Sequence, residues 1–179
     1  MKWDSKMYVS VALYSAIFVV LSIFGTLNFH SIKITTQNLP IYLAGITCGM
    51  IPGALVGFVG MFISQIITYG FQTTTLFWVL PQTILGAVCG YIFENSLVKA
   101  NESPKFYASI IFLQLLVTIL NTLANAIDGL VNGYFNFVTI LGPFVVRIIA
   151  SVLTGIIFCI IIPPLVKMIK KIHWPYDKS

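Results

Sequence analysis

Residues 34–93 read ITTQNLPIYLAGITCGMIPGALVGFVGMFISQIITYGFQTTTLFWVLPQTILGAVCGYIF, sixty consecutive positions between Lys33 and Glu94 without a Lys, Arg, Asp or Glu. A helix needs about 20 residues to cross a hydrocarbon layer about 30 Å thick, so this run exceeds two crossings. The rest of the chain agrees. Of 179 residues, 58% are hydrophobic and 8% charged, too few charges to cover a soluble domain of this size. The expected fold class is an all-α integral membrane protein with six transmembrane helices in a single membrane domain, 1–179.

Outward from that run, helix 1 is expected over about 7–28, where VALYSAIFVVLSIFGTL exceeds a signal-peptide h-region and stays as the first membrane helix. FHSIKITTQN then leaves the membrane. Helix 2 (39–50) is short, because GMIPG reads as a tight turn with Pro52 opening helix 3 (52–69), and the two form a hairpin. YGFQTTT is a short loop before helix 4 (76–93), and ENSLVKANESPK is the clearest aqueous loop. Helix 5 (106–127), the segment DGLVNGYFNF, helix 6 (140–166) and a basic tail (167–179) complete the chain. Six spans put both termini on one side. If that side is cytoplasmic, it holds Lys2, Lys6, Lys99, Lys105, Lys167, Lys170, Lys171 and Lys178, with Lys33 alone outside. Cytoplasmic retention therefore accounts for the net charge of +5, and no nucleic acid is implied. No repeat of 20 to 50 residues is visible.

In this orientation the polar side chains of odd helices come late and those of even helices early, which places both in the outer half. Helix 3 carries Ser64, Gln65 and Thr68 there, and helix 4 carries Gln82 one turn after Trp78. Asn121, Asn125 and Asp128 are spaced i, i+4, i+7, within about 60° of one face if the helix persists. Arg147 lies about two turns into helix 6. A charge at mid-helix costs roughly 2.5 to 3.5 kcal/mol on insertion scales, so Arg147 should face protein or water. Its guanidinium fork suits a carboxylate or phosphate. Arg147 either contacts a ligand or pairs with Asp128, and the asparagines either line a pocket or bond between helices. Tyr69, Phe71, Trp78, Tyr134 and Phe135 flank the region as stacking partners or as an interfacial belt. Gln37 and Asn38 border the first outer loop. The candidate ligand site is thus Arg147, Asn121, Asn125, Asp128, Gln82, Trp78, Gln37 and Asn38.

No GxxxxGK[ST], HExxH or GxSxG motif occurs, and His30 and His173 fall outside the polar cluster, so no enzyme is expected. Cys48, Cys89 and Cys159 sit in apolar runs without CxxC spacing and read as packing residues, with no metal site. A channel would need polar lining at both depths, and six spans lack the paired broken helices of an inverted-repeat transporter. The alternatives are a standalone small-solute carrier or channel, and a scaffold using the GxxxG pairs Gly45/Gly49, Gly53/Gly57 and Gly86/Gly90.

Ala12 and Ala16 form AxxxA in VALYSA on helix 1, and NLPIYLAGITCGMIPGALVGFVGMF sets a leucine-proline start before a glycine-rich turn with proline. With the span count and polarity, the whole chain resembles the substrate-binding S components of energy-coupling factor (ECF) transporters, which import vitamins in bacteria and archaea. The resemblance implies a pocket facing outward, closed by the first outer loop, for a water-soluble vitamin. It implies docking through Ala12 and Ala16 on a transmembrane coupling subunit with two ATPase subunits, which use the ATP; this chain needs no cofactor. It also implies a prokaryotic plasma membrane. Arg147 favours a carboxylate-bearing vitamin such as pantothenate or folate.

Overall fold

The computed structural model describes residues 5–29, 32–94, 103–138 and 142–171. Lys2, His30, Lys99, His173 and Lys178 lie outside the described residues. Within the described residues, six helices and one hairpin follow in chain order: α1 (Ser5–Phe24), β1 (Thr26–Phe29), β2 (Ile32–Thr35), α2 (Leu39–Cys48), α3 (Met50–Tyr69), α4 (Thr75–Glu94), α5 (Pro104–Val131) and α6 (Phe144–Lys171). Among the described residues, five helices are long and apolar enough to cross a membrane; α2, with ten residues, is about 15 Å long and is not. The architecture of the described residues is thus five span-length helices around a short one, at the place where a short second helix was expected.

The all-α class holds, but the end of the first helix differs from the expected one. Hydropathy alone would carry helix 1 to Asn28, but α1 stops at Phe24 and Thr26–Phe29 pairs antiparallel with Ile32–Thr35, Thr26 opposite Thr35. The backbone N–H and hydroxyl of Thr36 both donate to Gly25 O, at 3.0 and 3.1 Å. That closure pulls the chain out of the helix. Elsewhere, α5 starts two residues early, since Ser103 Oγ accepts from Phe106 N–H and Pro104 fills the first position. It also runs on past Asp128. α6 starts at Phe144 and continues to Lys171 through Pro163 and Pro164, so the tail begins later than expected.

The turn between α2 and α3 is tighter than GMIPG suggested: Gly49 alone separates them, at φ 96°, a conformation that glycine adopts without strain. Beyond it, α2 lies against α1, α3, α4 and α6, and Ile41, Tyr42 and Ala44 are fully buried. A helix that is apolar all round belongs in a core. A seam of glycines lets it in. A Cβ on Gly53 would sit 2.6 Å from Gly86 O, one on Gly86 2.0 Å from Gly53 O, and one on Gly45 2.8 Å from Cys89 Sγ. Glu94 Oε2 accepts from Met50 N–H at 3.3 Å, tying the end of α4 to the start of α3.

Because the atom opposing Gly86 is backbone, Gly86→Ala must separate α3 from α4. It is expected to lose about 1 to 3 kcal/mol net, lowering the melting temperature in detergent by about 2 °C or more. Gly155→Ala, whose Cβ meets nothing nearer than 3.5 Å, should instead gain helix propensity and melt at the same temperature or higher.

Candidate ligand-binding site

Since α2 runs alongside only the first half of α3, the other half of the bundle has no central helix, and a cavity of about 490 Å³ lies there. Met61, Ser64, Gln65, Thr68 and Tyr69 of α3 line it, with Trp78 and Gln82 of α4. Gln114, Val117, Thr118, Asn121, Thr122 and Asn125 come from α5. Pro143, Val146, Arg147, Ala150, Ser151 and Thr154 come from the start of α6 and the residue before it. Ser22 and the segment Thr35, Gln37 and Asn38 complete the wall below the hairpin. β2 packs on α6, so the hairpin links α1 to α6 at this end.

Hydroxyls on the wall are mostly anchored. Thr118 Oγ1 donates to Gln114 O at 2.9 Å, Thr122 Oγ1 to Thr118 O at 2.9 Å and Thr154 Oγ1 to Ala150 O at 2.8 Å. Ser151 Oγ bridges to Gln114 O at 2.9 Å, joining α6 to α5, and Ser22 Oγ lies 2.6 Å from Ser64 Oγ. With these protons committed, the donors left for a solute include the amide groups, the guanidinium, the Trp78 indole N–H and the Tyr69 hydroxyl. No Asp or Glu lines the cavity among the described residues.

Seven of the eight expected site residues meet on this wall: Arg147, Asn121, Asn125, Gln82, Trp78, Gln37 and Asn38. Asp128 does not. It is buried farther along α5, where Asn132 Nδ2 donates to its Oδ1 at 2.9 Å and Tyr134 O–H to its Oδ2. It faces a second cavity with Phe71, Gln72, Thr73, Asn132 and Tyr134, and no ion pair joins it to Arg147 among the described residues. The hydrogen bond to Asp128, together with slight burial and the carboxylate charge, raises the Tyr134 phenol above its ordinary range. Arg147 also sits closer to a helix end than expected, in the first turn of α6, with its N–H on Pro143 O at 2.9 Å. A cation opposes the helix dipole there, so helix stability does not explain it.

Gln114, Thr118, Ser151 and Thr154 were missed by the sequence reading. Their signal was present: 114, 118, 121 and 125 extend the α5 stripe at i, i+4, i+7, i+11, and 151 and 154 repeat Arg147 at i+4 and i+7. Gln114 Oε1 accepts from the buried Tyr42 O–H at 3.3 Å, which ties the cavity floor to α2.

A mostly apolar helical bundle with a polar cavity in one half defines the class: a membrane-embedded solute-site protein. Residues 2–171 match the model of the family described as "ECF-type riboflavin transporter, S component", and the chain belongs to that family. That family is one of transporter S components and not an enzyme class. Two relatives from Clostridium perfringens strains SM101 and ATCC 13124, both described as "UPF0397 protein", are 27% identical over 125 residues. The match covers 69% of this chain but 65% of the relatives' own length. The fold is similar to that in "Crystal structure of FolT bound with folic acid", with a TM-score of 0.67 and 21% identity over 93% of this chain and 97% of that one.

Tyr42→Phe removes the donor to Gln114 Oε1 without changing shape. It should cost about 1 kcal/mol or more, read as a melting temperature lower by about 2 to 4 °C; an unchanged value would mean that this bond does not hold the cavity floor.

Proposed function

We propose that this chain is the substrate-specificity subunit of an ECF-type importer in a prokaryotic plasma membrane. It captures a neutral or anionic water-soluble vitamin from outside the cell. The observation that carries the reading is the polar cavity confined to one half of the bundle, with Arg147 as its one cationic side chain and no carboxylate among the described residues. Lys6, Lys105, Lys167 and Lys171 all belong to the opposite half, which supports a cytoplasmic position for that end and both termini. The hairpin end then faces outward, and the segment Thr35–Asn38 closes over the solute.

The family description puts a flavin first: Trp78 and Tyr69 offer ring faces, and the amides offer donors and acceptors for a planar heterocycle. A carboxylate-bearing vitamin, folate or pantothenate, is the second reading. The Arg147 fork favours it, and folic acid is the ligand named for the structural neighbour. Delivery inward is assigned to a transmembrane coupling subunit and two ATPase subunits. Ala12 and Ala16 are exposed on α1, and Ala12 lines an apolar groove of about 370 Å³ with Tyr8, Val11, Ser15, Leu55 and Val59. A flat small-residue surface beside a groove suits another membrane helix.

Mass spectrometry of small molecules released from the purified protein should identify a vitamin; a protein that neither retains nor binds one would remove the reading. Arg147→Gln is expected to weaken binding of an anionic vitamin by about tenfold to a hundredfold, while Asp128→Asn, outside the cavity, changes it less than about threefold. In cells carrying the coupling subunit, Ala12→Trp with Ala16→Trp should abolish uptake and leave the affinity of the purified chain unchanged. Loss of affinity instead would place α1 in the binding site.

A further inference from the structure

Two residues that line the cavity each carry a buried side-chain oxygen without a donor. Asn38 is 2% exposed and Gln82 1%, and neither Asn38 Oδ1 nor Gln82 Oε1 has a hydrogen-bond partner among the described residues. Both residues line the cavity. Buried acceptors without donors are uncommon and costly in folded interiors, so two on one wall need a reason.

Local structure shows how each is kept free. Asn38 is the N-cap of α2, a position where an asparagine side chain ordinarily accepts from the first turn. Here that work is already done. Leu39 N–H goes to Thr36 O at 3.0 Å, Pro40 has no N–H, and Ile41 N–H goes to the main-chain oxygen of Asn38 at 3.0 Å. Gln82 is fixed differently. A Cβ on Gly57 would lie 2.2 Å from Gln82 O, so this part of α4 is pinned on the α3 seam and its side chain is presented from a rigid backbone.

Resting on the vitamin-receptor reading, we infer that Asn38 and Gln82 determine specificity by accepting hydrogen bonds from two donor groups of the ligand, ring N–H or hydroxyl. Arg147, a donor from α6, meets the ligand's acceptor or anionic side. The site thereby selects a neutral or anionic heterocycle that carries its own donors. It rejects analogues whose donors are alkylated, because the amide oxygens then stay unpaired.

The test titrates the full chain in detergent, as wild type, Asn38→Leu and Gln82→Met, with riboflavin and with riboflavin methylated at the ring imide nitrogen. Melting temperatures are read without ligand. Wild type should prefer riboflavin over the methylated form by about tenfold or more. Each variant should bind riboflavin about tenfold more weakly or worse, and one should lose the preference. Without ligand both should melt at the wild-type temperature or above, because an undonated acceptor has been removed. If folic acid binds and riboflavin does not, the variants are titrated with folic acid against the same tenfold criterion and the same melting readout. Variants that bind as wild type does, a wild type indifferent to methylation of riboflavin, or variants that melt lower without ligand would overturn the inference alone. A wild type that binds neither riboflavin nor folic acid removes the vitamin-receptor reading and this inference with it.

Discussion

The close apposition of α2, α3 and α4 is the constraint on which the rest depends. In a membrane, apolar side chains gain little by leaving lipid for one another, so helices associate where backbones approach closely and pack densely. Gly45, Gly53, Gly57, Gly86 and Gly90 provide that approach, with added Cβ atoms falling at 2.0 to 2.8 Å from their nearest neighbours. The seam seats the short helix α2 in the middle of the bundle. Tyr42, itself fully buried, extends the contact to Phe158 of α6, whose ring centre lies 5.4 Å away, edge to face.

From this follows the division of the molecule into a packed half and a hollow one. The core residue cluster of Ile41, Tyr42, Val56, Leu85, Cys89, Ile110, Phe158 and Ile162 fills the space beside α2. Past the start of α2 no comparable helix among the described residues occupies the centre, and the surrounding helices turn Ser, Thr, Asn and Gln side chains toward the gap. Polar groups of this kind are costly in hydrocarbon unless bonded or hydrated. Their main-chain and cross-helix hydrogen bonds satisfy most of the hydroxyls, and the cavity provides the remaining polar surroundings.

Much of this was legible in the sequence, and the failures have particular causes. The uncharged run 34–93 announced the membrane class, and GMIPG announced the α2–α3 hairpin with its short first member. Helical spacing put Asn121 and Asn125 on one face of α5, and both line the cavity with the depth-matched Arg147 of α6. It could not separate Asp128, because periodicity gives an angle about the axis and not a depth; Asp128 shares the stripe's face yet lies beyond the cavity, held by Asn132 and Tyr134. The hairpin Thr26–Thr35 was hidden for a related reason. The same β-branched and apolar residues satisfy a hydropathy window, and only the long-range bonds from Thr36 to Gly25 select the strand. Gln114 escaped notice because a single amide inside an apolar helix looks like an isolated packing residue until Tyr42, seventy-two positions earlier, is seen to meet it.

The composition of the cavity wall has one further consequence, for how binding responds to acidity. Among the described lining residues there is no carboxylate, imidazole or thiol. Imidazole ordinarily changes charge between mild acid and neutrality, carboxylates a little below that range and thiols a little above it. The described wall therefore brings no titrating group of its own to that range, and against it the acid–base profile of affinity reads the protons of the guest.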